Sequence, residues 1–359
     1  MKILFDVAHL YYLPQYLSVY KILRVKKVDC IFVIYRNRDL INIIENEVKQ
    51  LNLPHIFVDS EQDSIEYYKK SDSNWIIFGN SFKYISKIPT HIKTALINHG
   101  AGVKSVGYLP GMNQMDVRFV DGTHHFKELK KVFPDGNQVL VGFSKMDPLI
   151  NNSVEPMNFK ELGLDPDKPT LLYAPTFYPS SIEKFPENFP HDFNDYNILI
   201  KFHFFSYIKK QYRRQLRRLN LWNQYDNVYA AGIDEYSVLP FLKSADLLIS
   251  DASSTLFEFA ALNKPVVWCD FMKLRLFYRG PFRFRYFKRM DKKLFQYRDI
   301  AAHVKTYSAL KQEVDMQIKH PAMFEKKRLE YSDQLLGPID GKASIRIADY
   351  LYNNCNGLS

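Results

Sequence analysis

Short apolar runs alternate with stretches of helical periodicity along this chain, at intervals of roughly 20–30 residues, and that rhythm restricts it to a parallel-sheet α/β architecture. Lys2–Val7 (KILFDV) and Asp29–Tyr35 (DCIFVIY) read as buried strands, with apolar residues at helical spacing over 15–26 between them. A second helical stretch covers 40–50, and strand-like runs follow at 54–58, Trp75–Phe78 (WIIF) and 95–97 (ALI). A second series starts beyond the polar, Pro-rich segment 151–169. It comprises Thr170–Tyr173 (TLLY), 197–201 (NILIK), 227–229, 246–250 (DLLIS) and 264–268 (KPVVW). The last patterned piece, 341–350 (GKASIRIADY), reads as a terminal helix. With 359 residues the chain exceeds what one core usually holds, so two parallel-sheet domains sharing a cleft are expected. Their expected limits are 1–155 and 156–335, with 336–359 a C-terminal helix packing back across the interdomain region.

Composition narrows the classes. An apolar fraction of 46% and a charged fraction of 25% exclude disorder. Cys30, Cys269 and Cys355 stand far apart, which gives neither a disulfide framework nor a zinc site. The opening MKILFDVAHLYYLP reads as no secretory leader, and no apolar run reaches the ~18 residues of a spanning helix. The expected location is the cytoplasm, extending to the inner face of the cell membrane. The formal charge of +10 suits nucleic acid, anionic lipid or phosphorylated substrates. It concentrates in two places, 209–218 (KKQYRRQLRR) and 271–290 (FMKLRLFYRGPFRFRYFKRM). These fit an anionic lipid surface, a track for a polyanionic polymer, or a solvated face over core aromatics. No RNP, KH or zinc-finger pattern occurs, so nucleic acid is not an expected partner. GxGxxG after the first strand, GxxxxGK[ST], GxSxG and HExxH are all absent, and His124-His125 near Asp121 diverge on regular structure. No metal and no cofactor is expected.

Four strand ends carry polar or small residues at the carboxyl edge of a parallel sheet, where open α/β sheets bind ligands. In ALINHGAG the imidazole of His99 leaves the strand directly, and Gly100 allows a close backbone approach; such a ring can take a proton from an attacking hydroxyl. In LLYAPTF the strand runs out into Ala-Pro-Thr, a small residue, a rigid bend and the hydroxyl of Thr176. In ILIKFH, Lys201 and His203 lie two apart, so on an extended chain both point to one side and suit an anionic oxygen. In DLLISDASSTLFEFAA a strand turns through Asp251, Ser253, Ser254 and Thr255 into a helix, whose free first-turn amides suit phosphate. Thr255 and Glu258 have capping-box spacing, which leaves Ser253 and Ser254 for a ligand if Thr255 is the cap. Glu258 is then placed to accept hydrogen bonds from a ribose or a nucleobase.

With these segments in view, the chain resembles the CDP-glycerol glycerophosphotransferases, which make or prime teichoic acids and related glycerol-phosphate polymers. The matching stretches, in family order over residues 95–350, are NHGAGVKSVGY, VGFSKMDPL, LLYAPTF, ILIKFH, LKSADLLISDASSTLFEFAALNKPVV and DGKAS. Departures include Ala101 for the usual threonine after His-Gly and Phe204 for the proline of Lys-x-His-Pro. The resemblance implies a GT-B fold of two Rossmann-like domains, with the nucleotide donor on the C-terminal one and the acceptor on the N-terminal one. It also implies transfer of glycerol phosphate from CDP-glycerol to a hydroxyl of a glycan or lipid-linked glycan in envelope or capsule synthesis, with release of CMP. His99 corresponds to the family's catalytic base and His203 to its second catalytic histidine, near the donor phosphates. Gly100, Lys201, Thr176, Asp251, Ser253, Ser254, Thr255 and Glu258 are the expected substrate-binding residues. A glycosyltransferase or polyol-phosphate transferase with another activated donor is the alternative.

Overall fold

A strand with apolar side chains on both faces is satisfied only in a sheet covered on both sides, and the apolar runs are used in that way. The computed structural model describes residues 1–36, 40–98, 100, 105–251, 253–274, 278–282, 284 and 292–355. They divide into two compact units, Met1–Asn151 with Asp333–Ser359, and Asn152–Ser332.

The first unit holds a seven-stranded parallel sheet in the order β3-β2-β1-β4-β5-β6-β7. Its strands are β1 (Lys2–Val7), β2 (Asp29–Tyr35), β3 (His55–Val58), β4 (Trp75–Phe78), β5 (Lys93–Ile97), β6 (Val117–Val120) and β7 (Gln138–Leu140). Helices α1 (Leu13–Val25), α2 (Ile41–Gln50), α3 (Glu61–Lys70) and α4 (Thr123–Val132) connect them. Pro14 occupies the first turn of α1, where its missing N–H costs nothing, and Leu13, Tyr16, Val19 and Leu23 form the buried stripe. Ser60 caps α3 by accepting from the Asp63 amide at 3.1 Å. The strand order reverses between β1 and β4, with β5 next in line.

The terminal helix Ala343–Asn353 belongs to this same unit. Two of the resembling stretches meet at its start. Asp147, from VGFSKMDPL, accepts from the amides of Ser344 at 2.6 Å and Ala343 at 3.3 Å, in DGKAS. Asn151 donates to the Gly341 carbonyl at 2.9 Å, and Arg346 to that of Val141 at 2.7 Å. Both motifs therefore have a structural reason to exist: a buried carboxylate takes two orphan amides of the last helix. Replacing Asp147 with alanine strands those amides and is expected to cost about 1–3 kcal/mol. Urea unfolding reads it; an unchanged midpoint would show that the cap contributes nothing.

The second unit holds a six-stranded parallel sheet, β10-β9-β8-β11-β12-β13. Its strands are β8 (Thr170–Tyr173), β9 (Asn197–Ile200), β10 (Val228–Ala230), β11 (Leu247–Ser250), β12 (Val266–Cys269) and β13 (Ala302–Val304). Much of the aromatic excess fills its core: Tyr173 stacks on Phe185 at 4.4 Å between centroids, with Phe189, Phe193, Phe202 and Trp222 around them. Here the order reverses between β8 and β11.

Candidate functional site

Three of the four sequence motifs leave neighbouring strands of the second unit, β9, β8 and β11, at their carboxyl ends. Thr176 and Asp251 flank the reversal point between β8 and β11, the usual ligand crevice of such a sheet.

Asp251, expected among the substrate-binding residues, turns inward and is fully buried. Its Oδ1 accepts from the Thr176 amide at 2.7 Å. Its Oδ2 accepts from the Ser181 amide and hydroxyl, both at 2.9 Å, and from the Ser180 hydroxyl at 3.3 Å. Burial pushes this carboxyl up to about 6, and the two backbone donors, Thr176 and Ser181, oppose the rise. So filled, the group ties the loop 174–181 to the turn after β11; it supports the crevice from behind. Asparagine there turns an amide toward backbone donors. We expect Asp251→Asn to cost about 1–3 kcal/mol of stability, measured by thermal unfolding; an unchanged melting temperature would show that the carboxylate's bonds contribute nothing.

The turn itself corrects the capping expectation. The helix that follows is Thr255–Ala260, only six residues, so Thr255 is its first residue and Ser254 its N-cap. The Ser254 side chain makes no capping bond. Instead the Ser253 hydroxyl accepts from the Thr255 amide at 3.3 Å. Ser253, Ser254 and Thr255 are half-buried, whereas Glu258 is 1% exposed and faces the interior.

Lys201 extends β9 by one bond, its amide donating to the Tyr173 carbonyl at 3.0 Å. Its side chain is only 8% exposed, and the ammonium lies 5.6 Å from the Tyr207 ring centroid. Among the described residues no carboxylate comes within ion-pair distance of it. Burial lowers its proton affinity to about 8, while the more distant Glu235 and Asp234 pull the other way. A cation in that condition gains from any anion that reaches it.

His203 is half-buried and caps the short helix Phe204–Ile208: its Nδ1 accepts from the Phe205 amide at 3.1 Å. A nitrogen that accepts carries no proton, so the neutral ring holds its proton on Nε2. Phe204, in place of the family's proline, is the first residue of that helix. The Phe177 ring packs on His203 at 4.6 Å between centroids and is edge-on to Phe205 at 5.2 Å. The Phe177 carbonyl accepts from Gln215 at 3.0 Å. Sequence reasoning missed Phe177 and Ser180–Ser181 as parts of this arrangement, because nothing in LLYAPTF announces that its loop is fastened to a carboxylate far along the chain.

In the first unit β5 ends at Ile97 and Gly100 is half-buried, whereas His99 lies outside the described residues. So do 275–277, 283 and 285–290 of the basic aromatic segment; Phe282 is 42% and Phe284 60% exposed. In the helix Arg213–Trp222, Gln215, Leu219 and Trp222 are buried while Arg213, Arg214 and Arg217 are exposed. Among the described residues no group of three or more His, Cys, Asp or Glu could hold a metal ion. Among them, too, no helix is long and apolar enough to cross a membrane.

The family model for CDP-glycerol:poly(glycerophosphate) glycerophosphotransferase matches residues 107–353. A teichoic acid glycerol-phosphate primase of Bacillus spizizenii is 29% identical over 161 residues, covering 42% of this chain and 39% of that protein. Its namesake in Bacillus subtilis is 29% identical over 109 residues, covering 28% and 25%. The matches thus span about two fifths or less of these relatives' length. Among solved structures, the wall teichoic acid polymerase TagF superposes with a TM-score of 0.70 at 17% identity, covering 99% of this chain and 89% of that one. A UDP-GlcNAc 2-epimerase from Neisseria meningitidis gives 0.62 at 13% identity, covering 99% and 100%. At such identities the likeness concerns the fold: two Rossmann-like parallel-sheet domains of GT-B type.

Proposed function

Because the chain belongs to the CDP-glycerol:poly(glycerophosphate) glycerophosphotransferase family, we propose that it transfers glycerol phosphate from CDP-glycerol to a hydroxyl of a cell-envelope glycan acceptor. The acceptor oxygen attacks the phosphorus that bears glycerol, and the bond from that phosphorus to the bridging oxygen breaks. The electron pair leaves on CMP, and the acceptor's proton passes to His99. The C-terminal domain takes the donor and the N-terminal domain the acceptor.

The observation that carries this reading is the buried ammonium of Lys201, without an ion-pair partner among the described residues, two positions before His203 at the carboxyl end of the strand next to the β8/β11 reversal. Fixed positive charge and a preset donor favour the phosphate charge that grows as CMP departs. Thr176, Ser253, Ser254 and Thr255 complete the crevice with hydroxyls, since the amides of Thr176, Ser253 and Thr255 are already bonded within the protein. His203 therefore serves as a donor to phosphate, since its other nitrogen is spent on the helix. Incubating the protein with CDP-glycerol and a lipid-linked glycan tests the reading by release of CMP. Turnover of UDP-sugars alone, with none from CDP-glycerol, would replace it with a glycosyltransferase.

The exposed Arg213, Arg214 and Arg217, with Lys209 and Lys210 just before them, support peripheral binding to an anionic membrane, where such an acceptor lies. Each basic residue at a charged bilayer is worth about 1 kcal/mol. Vesicles containing phosphatidylglycerol should sediment the protein and neutral ones should not. Reversing the three arginines to glutamate should abolish the difference. Equal, negligible binding to both vesicles sinks this part.

A further inference from the structure

The first unit contains a buried polar chain that the reaction above does not use. Asp121 follows β6, and His125 lies in the first turn of α4. His125 Nδ1 donates to Asp121 Oδ1 at 2.9 Å, which leaves Nε2 with a lone pair. Arg118, in the middle of β6, donates to that lone pair from Nη2 at 3.2 Å. Its Nη1 donates to the Gly107 carbonyl at 2.8 Å. Arg118 is 2% exposed, Asp121 4% and His125 2%.

Burying a guanidinium with one carboxylate, reached only through an imidazole, is expensive, and an apolar side chain of similar size would fill the space at less cost. Among the described residues the buried Arg118 Nε even has no partner. What the arginine supplies is a grip on the single-turn helix Ser105–Tyr108. A Cβ on Gly107 would stand 3.4 Å from His125 Nε2 and 3.7 Å from Arg118 Nη2, so the turn sits directly on the relay. The Tyr108 ring is edge-on to His125 at 5.4 Å.

The same residue also stands beside the other end through its backbone. In the sheet Arg118 is the register partner of Leu96 in β5, and β5 ends at Ile97, two residues before His99. Arg118 thus pairs through its backbone register with the strand that precedes His99 and holds, through its side chain, the turn Ser105–Tyr108 that follows it in the chain. The frame behind is tight: side chains on Gly122 or Gly337 would collide with the backbone of 334–335 and of Asp121 respectively.

We propose that Asp121, His125 and Arg118 form a positioning relay for the proposed base, holding the turn Ser105–Tyr108 a few residues beyond it. This rests on His99 being that base. The relay touches no substrate; it acts through the Gly107 carbonyl.

Arg118→Met keeps the volume and removes the grip. Misplacing a base by about 1 Å can cost ~10²-fold in turnover, so kcat should fall by that order. KM for CDP-glycerol should stay put, since the donor site is in the other unit. Thermal stability should fall, because methionine strands the Gly107 carbonyl and the His125 lone pair and leaves the buried Asp121 carboxylate without its cation, so kcat is compared per folded protein. Arg118→Lys, which can still reach one acceptor, should recover part of the loss. Amide hydrogen exchange over 105–108 should quicken in the methionine variant, and this readout holds for any donor. A variant that is folded, exchanges like wild type over 105–108 and keeps its kcat overturns the proposal; so does a loss of kcat that only mirrors a loss of folded protein. Absence of CMP release from the wild type would instead fault the proposed reaction and leave the exchange test standing.

Discussion

Replacing His99 with alanine should lower turnover with CDP-glycerol by about 10²–10⁴-fold while leaving donor binding close to wild type. An acceptor hydroxyl is a poor nucleophile until its proton has somewhere to go. In the proposed reaction the donor's phosphates, by contrast, are assigned to groups of the C-terminal domain, Lys201 and His203 among them, rather than to His99. Loss should therefore fall on kcat and on single-turnover CMP release, with the nucleotide dissociation constant unchanged. The acid limb of the rate profile should disappear in the variant if that imidazole must be neutral to act. Added imidazole, small enough to occupy the vacated space, should restore part of the rate. A variant releasing CMP at the wild-type rate would take the histidine out of the reaction.

How far this site could be read from the sequence depended on whether a residue's partners were near it in the chain. β1, β2, β4 and β8 were legible because their apolar runs are uninterrupted and bounded by polar residues. β6 was not, because Arg118 sits in the middle of VRFV and breaks the apolar run; the residue that hides the strand is the one that organises its surroundings. β7 and β13, three residues each, are too short to carry a period. The strand-end motifs placed Thr176, Lys201, His203 and the 253–255 turn at one sheet edge correctly, since strand polarity alone dictates that.

Their individual duties were less accessible. Asp251 reads as a ligand group when only the turn after β11 is considered, but its donors come from Thr176, Ser180 and Ser181, more than two strands earlier in the chain. Thr255 and Glu258 have the spacing of a capping box, yet Ser253 supplies the hydroxyl that meets the helix amide, so the local pattern lost to a neighbour with shorter reach. VGFSKMDPL and DGKAS match the family without showing chemistry in either stretch. Their meaning appears only when Asp147 is seen capping the last helix.

Lys201→Met is expected to reduce kcat/KM by about 10²–10³-fold, the usual loss when one charge-stabilising donor leaves a preorganised site. Unlike most damaging substitutions, it should not destabilise the protein. The ammonium is buried without an ion-pair partner among the described residues, and methionine carries no charge to desolvate. The pH dependence gives the sharper test, because activity and stability should move in opposite directions. Burial holds this lysine near 8, below its ordinary 10.5, so kcat/KM of the wild type should decline as pH rises through about 8 and the phosphate loses its cation. Over the same interval the unfolded chain keeps the proton that the folded chain has released. Unfolding then takes up protons, and stability contributed by this group rises with pH between about 8 and 10.5. Lys201→Arg retains a charge that does not titrate in this range, so its alkaline limb should move upward even if its absolute rate is lower. An alkaline limb that stays at the same pH in the arginine variant would assign the titration to another group and leave Lys201 without the role given to it here.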